Sequence, residues 1–480
     1  MYLMTLSSSD SAENGHLNRG IGLRSAVLFN VLEMIGVGPF IALPLVIAAA
    51  GYRLSVWAWV IGAVIAVADG LVWAELGAAF PRAGGSYAFL REIYGPKRAG
   101  NWLSFLYVWQ VSFTAPLSIA SGCIGLSSFL AWFWPALDRT PIAALPALHY
   151  SNFAAAATCL LVVVLLYRNL SSVTRLAWVL FAGVLAAIAG VVVSGFTQAA
   201  ATGGWHMPVS PPLTLPAAIG GLAQATLLTT YCYWGYYNIC FLGGEVRRPE
   251  RTIPRAILLS VLIVAGFYVA MNLAALPSLR DAAVHATAGE AVRLQLVADI
   301  TKSAFGNMAG RLMAALIIWT AFASVFSLLR GYSRVPYAAA RDGNYFHFLG
   351  AVHPRHGIPH RSLVALGAVA MVFCMFTLTQ VITVSVITRI FIQFFPQQVG
   401  VILLRIKRPE MVRPFKIPLF PLPPLIAMGG FYFLLVNRSH ALGGLAIAAT
   451  IGIVGTLIYI VRARRLGQWP FVDGVTTDAS

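Results

Sequence analysis

The sequence predicts an all-α integral membrane protein with about twelve transmembrane helices. Three observations carry that reading: scarce charge, repeated apolar runs of spanning length, and basic residues gathered on alternate sides of those runs. Of 480 residues, 59% are hydrophobic and only 10% are charged. A soluble domain carries about 25% charged residues, so lipid must replace water around much of this chain.

A helix crossing the hydrocarbon needs roughly 20 apolar residues. Such runs lie near 24–50, 54–80, 98–134, 152–167, 174–198, 215–246, 254–277, 305–334, 361–379, 381–404, 418–436 and 441–461. The net charge of +17 raises nucleic acid as a partner. Its distribution argues against that. With the N-terminus inside and sides alternating, 25 of the 33 Lys and Arg fall on the inner side. The outer side receives Arg53, Arg139, Arg280, Arg293, Lys302, Arg311 and Arg438, and Arg389 lies inside a span. Excess Lys and Arg in inner loops is the orientation signal of membrane proteins. The expected setting is therefore the cell (cytoplasmic or inner) membrane, multi-pass, with both termini cytoplasmic and the lipid bilayer as a partner. No nucleic acid is expected. The first apolar run is too long for a signal peptide's core, and no removable leader is read.

The expected layout is a tail at 1–20, a transporter core at 21–405, two additional helices at 406–462 and a tail at 463–480. Within the core, 21–198 and 215–405 would form two repeats. The largest outer segment, 278–304, is expected to hold a short helix, and the largest inner one is 335–360. Cys123, Cys159, Cys232, Cys240 and Cys374 all sit in apolar runs without metal-ligand spacing, as small buried hydrophobes do. No metal and no cofactor are expected.

The first run is interrupted by Gly36-Val37-Gly38-Pro39. The sixth is interrupted at Gly235 within Tyr231-Cys-Tyr-Trp-Gly-Tyr-Tyr-Asn238, followed by Gly243-Gly244. Glycine and proline are costly inside helices. Interruptions at corresponding places in two halves point to a five-plus-five inverted repeat with discontinuous helices 1 and 6 and a site at the midplane.

Such breaks free N–H groups at one half-helix start and C=O groups at the other half's end. Pro39 suits a first helical turn. The N–H groups of Val37, Gly38 and Phe40, beside Gly36, could cradle a carboxylate, aided by the helix dipole. Carbonyls near Met34, Ile35, Tyr233 and Trp234, around Gly235, could receive an ammonium. That is the charge pattern of a zwitterionic amino acid.

Charges inside the span region are expensive and mark function by default. Glu33 lies a turn before the first break. Its two candidate roles are counter-ion to a substrate ammonium and carrier of a coupling proton; the alternative is a protonated side chain bonding another helix. Asp69 lies deep in the second run, with coupling and a structural hydrogen bond both open. Glu75 and Glu245 stand near inner ends beside arginines and read as parts of an inner gate. Arg389 could pair with Asp69 or Glu33, or snorkel. Tyr231, Tyr233, Trp234, Tyr236 and Tyr237 crowd the second break, where one or two could face an ammonium. Trp109, Gln110 and Trp319 are weaker candidates that also suit packing. His353, His356 and His360 share an inner loop and read as a solvated turn.

At these residues the sequence resembles the amino acid–polyamine–organocation permeases, over about residues 20–460. Gly-Val-Gly-Pro-Phe at 36–40 sits where that family breaks helix one. Trp73-Ala-Glu75-Leu-Gly and Phe80-Pro-Arg-Ala-Gly-Gly-Ser-Tyr87 are similar to its helix-two signature. Tyr233-Trp-Gly235-Tyr-Tyr-Asn238 and Gly244-Glu245-Val-Arg-Arg-Pro249-Glu250-Arg251-Thr-Ile-Pro254 are similar to its helix-six signature. Ala340-Arg341-Asp342-Gly343, His353-Pro354 and Ile358-Pro359 match the loop after helix eight. The resemblance implies the LeuT-like five-plus-five fold, alternating access, a substrate held by unwound helices one and six, and Tyr231 and Trp234 as lid or wall. Helix five departs from the pattern. Several proton-coupled relatives carry a lysine there; Leu176–Ile188 has none. Ser324 and Ser327 are the candidate hydroxyls for a sodium site in helix eight.

The expected function is secondary active transport of amino acids by alternating access, coupled to protons, with sodium as another candidate ion. Polyamine or organic-cation uptake and amino acid exchange are the alternatives. An embedded enzyme would show a Ser/His/Asp or metal arrangement inside the spans, and none is read, so no enzyme is expected.

Overall fold

The computed structural model describes residues 19–140, 148–167, 170–201, 214–276, 296–376, 378–436 and 441–471. The tail calls at 1–18 and 472–480, and the orientation calls on Arg168, Arg280, Arg293 and Arg438, lie outside the described residues.

Within the described residues the chain is helical, with two isolated bridge pairs, Ile21 with Val246 and Ala83 with Leu242. In chain order come α1 (Leu23–Met34), α2 (Gly38–Ala79), α3 (Ser86–Tyr94), α4 (Ala99–Phe133), α5 (Tyr150–Leu166) and α6 (Leu170–Ala201). Then follow α7 (Leu215–Tyr233), α8 (Asn238–Phe241), α9 (Pro249–Ala275), α10 (Leu296–Phe305), α11 (Asn307–Tyr332) and α12 (Arg334–Arg341). Last are α13 (His360–Phe373), α14 (Leu378–Arg389), α15 (Phe395–Lys407), α16 (Leu422–Val436) and α17 (Ala441–Leu466). Seven helical stretches are long and apolar enough to cross a membrane, and three shorter apolar helices, α5, α13 and α16, accompany them. The short helix expected in 278–304 is α10; residues 277–295 are outside the described set.

The first two expected runs merge into one helical stretch after the first break. A straight helix of 42 residues would be about 63 Å long at 1.5 Å per residue, twice the hydrocarbon thickness. Gly51 interrupts it, with φ +72° and ψ 172°. Only glycine adopts that region without a Cβ clash against its own backbone. One stretch thus becomes two segments, 38–50 and 52–79.

The side chains are sorted as lipid demands. Leu161, Val164, Val193, Phe196, Leu262, Ile453, Leu457 and Val461 face outward. Asn30, Asp69, Gln110, Asn238, Arg389, Gln393 and Gln398 are buried. Polar groups cannot face hydrocarbon unpaired, so they gather where helices meet. α2 packs on α7 and α9, α4 on α11, and α1 lies between α9 and α11. Among the largest fully buried side chains are Trp59, Trp73, Tyr233, Tyr236, Tyr237, Tyr268 and Tyr332.

Loops on the expected inner side join the motif segments. Arg91 and the Tyr87 hydroxyl both donate to Asp342, the latter at 3.0 Å, which ties the segment 80–87 to the segment 340–343. His353, His356 and His360 group around Tyr167, with ring centroids 5.2, 6.5 and 6.1 Å from it.

A Cβ at Gly51 meets nothing within 4 Å, so its substitution tests backbone strain alone. Gly51→Ala is expected to cost about 1–3 kcal/mol, read as a lowered unfolding midpoint of the purified protein in detergent. An unchanged midpoint would mean the turn at Gly51 is not held in this conformation.

Candidate functional site

The two interrupted helices meet. α1 ends at Met34, Ile35 leaves helical geometry (φ −94°, ψ 80°), and α2 begins at Gly38 with Pro39 in its first turn. α7 ends at Tyr233, Trp234 is extended (φ −63°, ψ 140°), Gly235 has φ +126°, and α8 begins at Asn238. A Cβ on Gly235 would stand 2.8 Å from Glu33 Cγ and 2.9 Å from the Met34 nitrogen. The second break is therefore seated directly on the first, and glycine is required there by both conformation and contact.

Side chains answer the freed backbone groups. The Tyr268 hydroxyl on α9 lies 2.7 Å from the Met34 carbonyl and 3.0 Å from the Cys232 carbonyl, one from each broken helix. From α11, Ser324 donates to the Glu33 carbonyl at 3.1 Å and Ser327 to the Phe29 carbonyl at 2.8 Å. Asn238 donates to Ser327 Oγ at 2.8 Å, and the Asn30 side-chain oxygen accepts from the Ile239 N–H at 3.0 Å. The protons of the two candidate sodium-site hydroxyls are thus directed at carbonyls of α1.

A cavity of about 120 Å³ opens at this junction. One wall is Glu33, Met34, Gly36, Val37 and Gly38; the other carries Tyr231, Trp234 and Tyr237, with Ser118, Ser121, Ser324 and Arg389 between. Leu45, Leu227 and Leu328 supply apolar lining. Glu33 is 6% exposed and its Oε2 has no hydrogen-bond partner. Arg389 is 2% exposed. Its guanidinium donates to Tyr237 Oη at 3.3 Å, to the Thr114 carbonyl at 3.1 Å and to Ser118 Oγ at 2.8 Å. It also lies 5.1 Å from the Tyr332 ring centroid and 5.8 Å from that of Trp234. Immediately after it the helix widens into a π turn, Ile390–Phe394, a local distortion common at functional sites.

Most expected site residues come together here, and some do not. Met34, Gly36, Val37, Gly38, Tyr231, Trp234 and Glu33 line the cavity. Ile35 and Phe40 are buried but outside its lining, because α2 has already turned Phe40 into the core. Tyr233 points away, donating to the Trp59 carbonyl at 3.2 Å. Gly235 serves the contact between the breaks. Trp109 donates to the Ile451 carbonyl and Trp319 to the Leu180 carbonyl, which are packing roles. Gln110 donates to Thr114 within its own helix. Arg389 neither snorkels nor pairs with Asp69; it faces Glu33 across the cavity without a direct ion pair among the described residues.

Asp69 lies elsewhere, fully buried, accepting from Tyr236 at the second break and from Gln398 on α15. Glu245 is held by Arg334 at 2.8 Å and Arg330 at 3.4 Å. Glu75 is held by Arg405, by Arg413 at 3.5 Å and by the Ile417 N–H at 2.7 Å. Each of these two buried carboxylates therefore faces two guanidinium groups. Sequence reasoning misses Ser118, Ser121, Tyr268, Asn30 and Asn238 as site residues. The spacing of Ser118, Ser121 and Gly122 on one helical face, opposite an intramembrane arginine, is the signal the sequence offers for the first two.

The two classes of ion pair should behave differently. Glu245→Ala strands two buried arginines and is expected to cost about 3–5 kcal/mol. Arg82→Ala breaks the exposed pair with Glu92 and should cost under about 1 kcal/mol. Thermal unfolding of the two variants side by side checks this. Equal losses would contradict the burial of the Glu245 cluster.

The profile of the family described as amino acid permease matches residues 21–461. A Mycobacterium tuberculosis protein described as an uncharacterized transporter is 32% identical over 359 residues, 74% of this chain and 73% of that protein. The serine/threonine exchanger SteT of Bacillus subtilis is 25% identical over 480 residues, 94% of this chain and 99% of that protein. The human large neutral amino acids transporter small subunit 2 is 29% identical over 438 residues, 88% of this chain and 76% of that protein. With apolar helices of membrane-crossing length and a family match over nearly its whole length, the chain is a multi-pass membrane protein and belongs to the amino acid permease family.

Proposed function

We propose that the chain is a secondary active transporter that moves amino acids across the cell membrane by alternating access, coupled to protons through Glu33. The observation that carries the reading is the cavity between the two helix breaks. Its lining includes a buried carboxylate with a free oxygen and the residues that open α2, one position that suits an ammonium and one that suits a carboxylate. An intramembrane carboxylate is costly, and a proton or an ammonium group relieves it. A Glu33 that takes up a proton as the substrate enters and gives it up as the substrate leaves on the other side couples the two movements in one direction.

The proposed layout keeps twelve spans: two inverted repeats at 21–198 and 215–405, two added helices at 406–462, and cytoplasmic tails at 1–20 and 463–480. The inner location of most Lys and Arg supports that orientation. Glu245 and Glu75, with their arginines, would close the inner side and part when the site opens inward. Asp69 would hold α2 to the second break through Tyr236 and to α15 through Gln398.

Amino acid exchange is the second reading, favoured by the relative described as a serine/threonine exchanger. Uptake of polyamines or other organic cations is disfavoured, because Arg389 lines the same cavity. Uptake of a labelled amino acid mixture into proteoliposomes, with and without an inward proton gradient, separates these. Gradient-driven accumulation abolished by an uncoupler supports symport. Uptake only into vesicles preloaded with amino acids supports exchange and makes Glu33 a substrate contact. Uptake of amines alone would sink the amino acid reading. In the symport case, Glu33→Gln should reduce gradient-driven accumulation to the level seen with uncoupler. Full pH-dependent accumulation by that variant would remove Glu33 from the coupling step.

A further inference from the structure

We propose that the cavity takes a dicarboxylic amino acid, with its side-chain carboxylate held by Arg389; this rests on the amino acid transport reading above. The argument starts from what Arg389 lacks. It is an almost fully buried cation in a span, and no carboxylate lies within ion-pair distance of it among the described residues. An arginine has five N–H donors. Tyr237, the Thr114 carbonyl and Ser118 accept from it, which leaves two N–H groups without an acceptor among the described residues on a side chain that lines the cavity. Those three contacts fix the guanidinium, so it cannot swing out to water. The protein thus holds a desolvated charge in place with Glu33 acting on it from across the cavity and no carboxylate bonded to it among the described residues, an arrangement that a ligand carboxylate would relieve.

The charges lining the cavity decide which ligand. Two positions favour negative groups: the amides of Gly36, Val37 and Gly38, leading into α2, and the Arg389 guanidinium. One position, the unpartnered oxygen of Glu33, favours a positive group. A neutral amino acid brings one carboxylate and one ammonium and leaves one positive position unanswered. A basic one places a second cation beside Arg389. An amino acid with two carboxylates and one ammonium answers all three. The planar guanidinium, whose N–H fork matches a carboxylate, suits the side-chain end. The proposal departs from the relatives named for serine and threonine or for large neutral amino acids.

The test is an isosteric comparison on the unaltered, full-length protein in proteoliposomes: labelled L-glutamate against L-glutamine, and L-aspartate against L-asparagine, with a proton gradient and in vesicles preloaded with the same compound. Each pair differs in charge and barely in size. The acid of each pair is expected to be carried at least about tenfold more efficiently than its amide. Arg389→Gln should bring that ratio to one or below, and Arg389→Lys should retain an acid preference. Amides carried as well as the acids would overturn the proposal while leaving amino acid transport standing. An acid preference that survives in folded Arg389→Gln would also overturn it. Transport of no amino acid would remove the parent reading and this one together. If Arg389→Gln does not fold, the acid–amide ratio of the unaltered protein decides alone.

Discussion

The structure depends on one constraint: a helix interrupted inside a membrane must have its freed backbone groups answered by the protein, because lipid cannot answer them. Two helices here are interrupted, and they are brought into contact. Tyr268 and Ser324 reach the last two carbonyls of α1, and Asn30 reaches the N–H of Ile239 at the start of α8. At the start of α2 no side chain caps the helix, and Gly36, Val37 and Gly38 line the cavity. The junction is closed on the carbonyl side and open on the amide side. That asymmetry makes the break a site instead of a defect.

Glycine sets how closely the parts approach. Gly235 admits Glu33 and Met34 against the second break, and a Cβ on Gly36 would stand 2.7 Å from Ser324 Oγ. Aromatic rings fill the space behind: Tyr237 stacks on Trp73 at 4.5 Å, and Trp234 meets Phe394 in the π turn at 5.1 Å. On the side expected to be inner, two buried carboxylates each hold two arginines. The membrane-embedded part is thus built on shape and the inner end on charge.

Much of this is legible in the sequence. Both breaks can be placed within a residue or two, because Gly and Pro clustered inside a long apolar run weaken its helix at that point. Glu33 stands out because a charge in such a run is conspicuous. The boundary between the first two runs is legible as a gap, but not the positive φ of Gly51 that makes it. What escapes are pairings across large sequence separations. Nothing local tells Ser121 that Tyr231 stands 3.1 Å away, or Tyr268 that two carbonyls converge on it. The choice among partners for Arg389 is equally closed to the sequence, since it depends on which helix face turns inward. Tyr233 and Phe40 fall outside the cavity lining because a residue at a break can point either way.

The Tyr268 hydroxyl carries one proton and stands within hydrogen-bond distance of two carbonyls, one on α1 and one on α7. A single donor between two acceptors behaves as a pivot. The proton can serve either carbonyl without the ring changing place. The two breaks are therefore tied to one point of α9, which carries the hydroxyl, and neither can move away from that point without giving up its contact there.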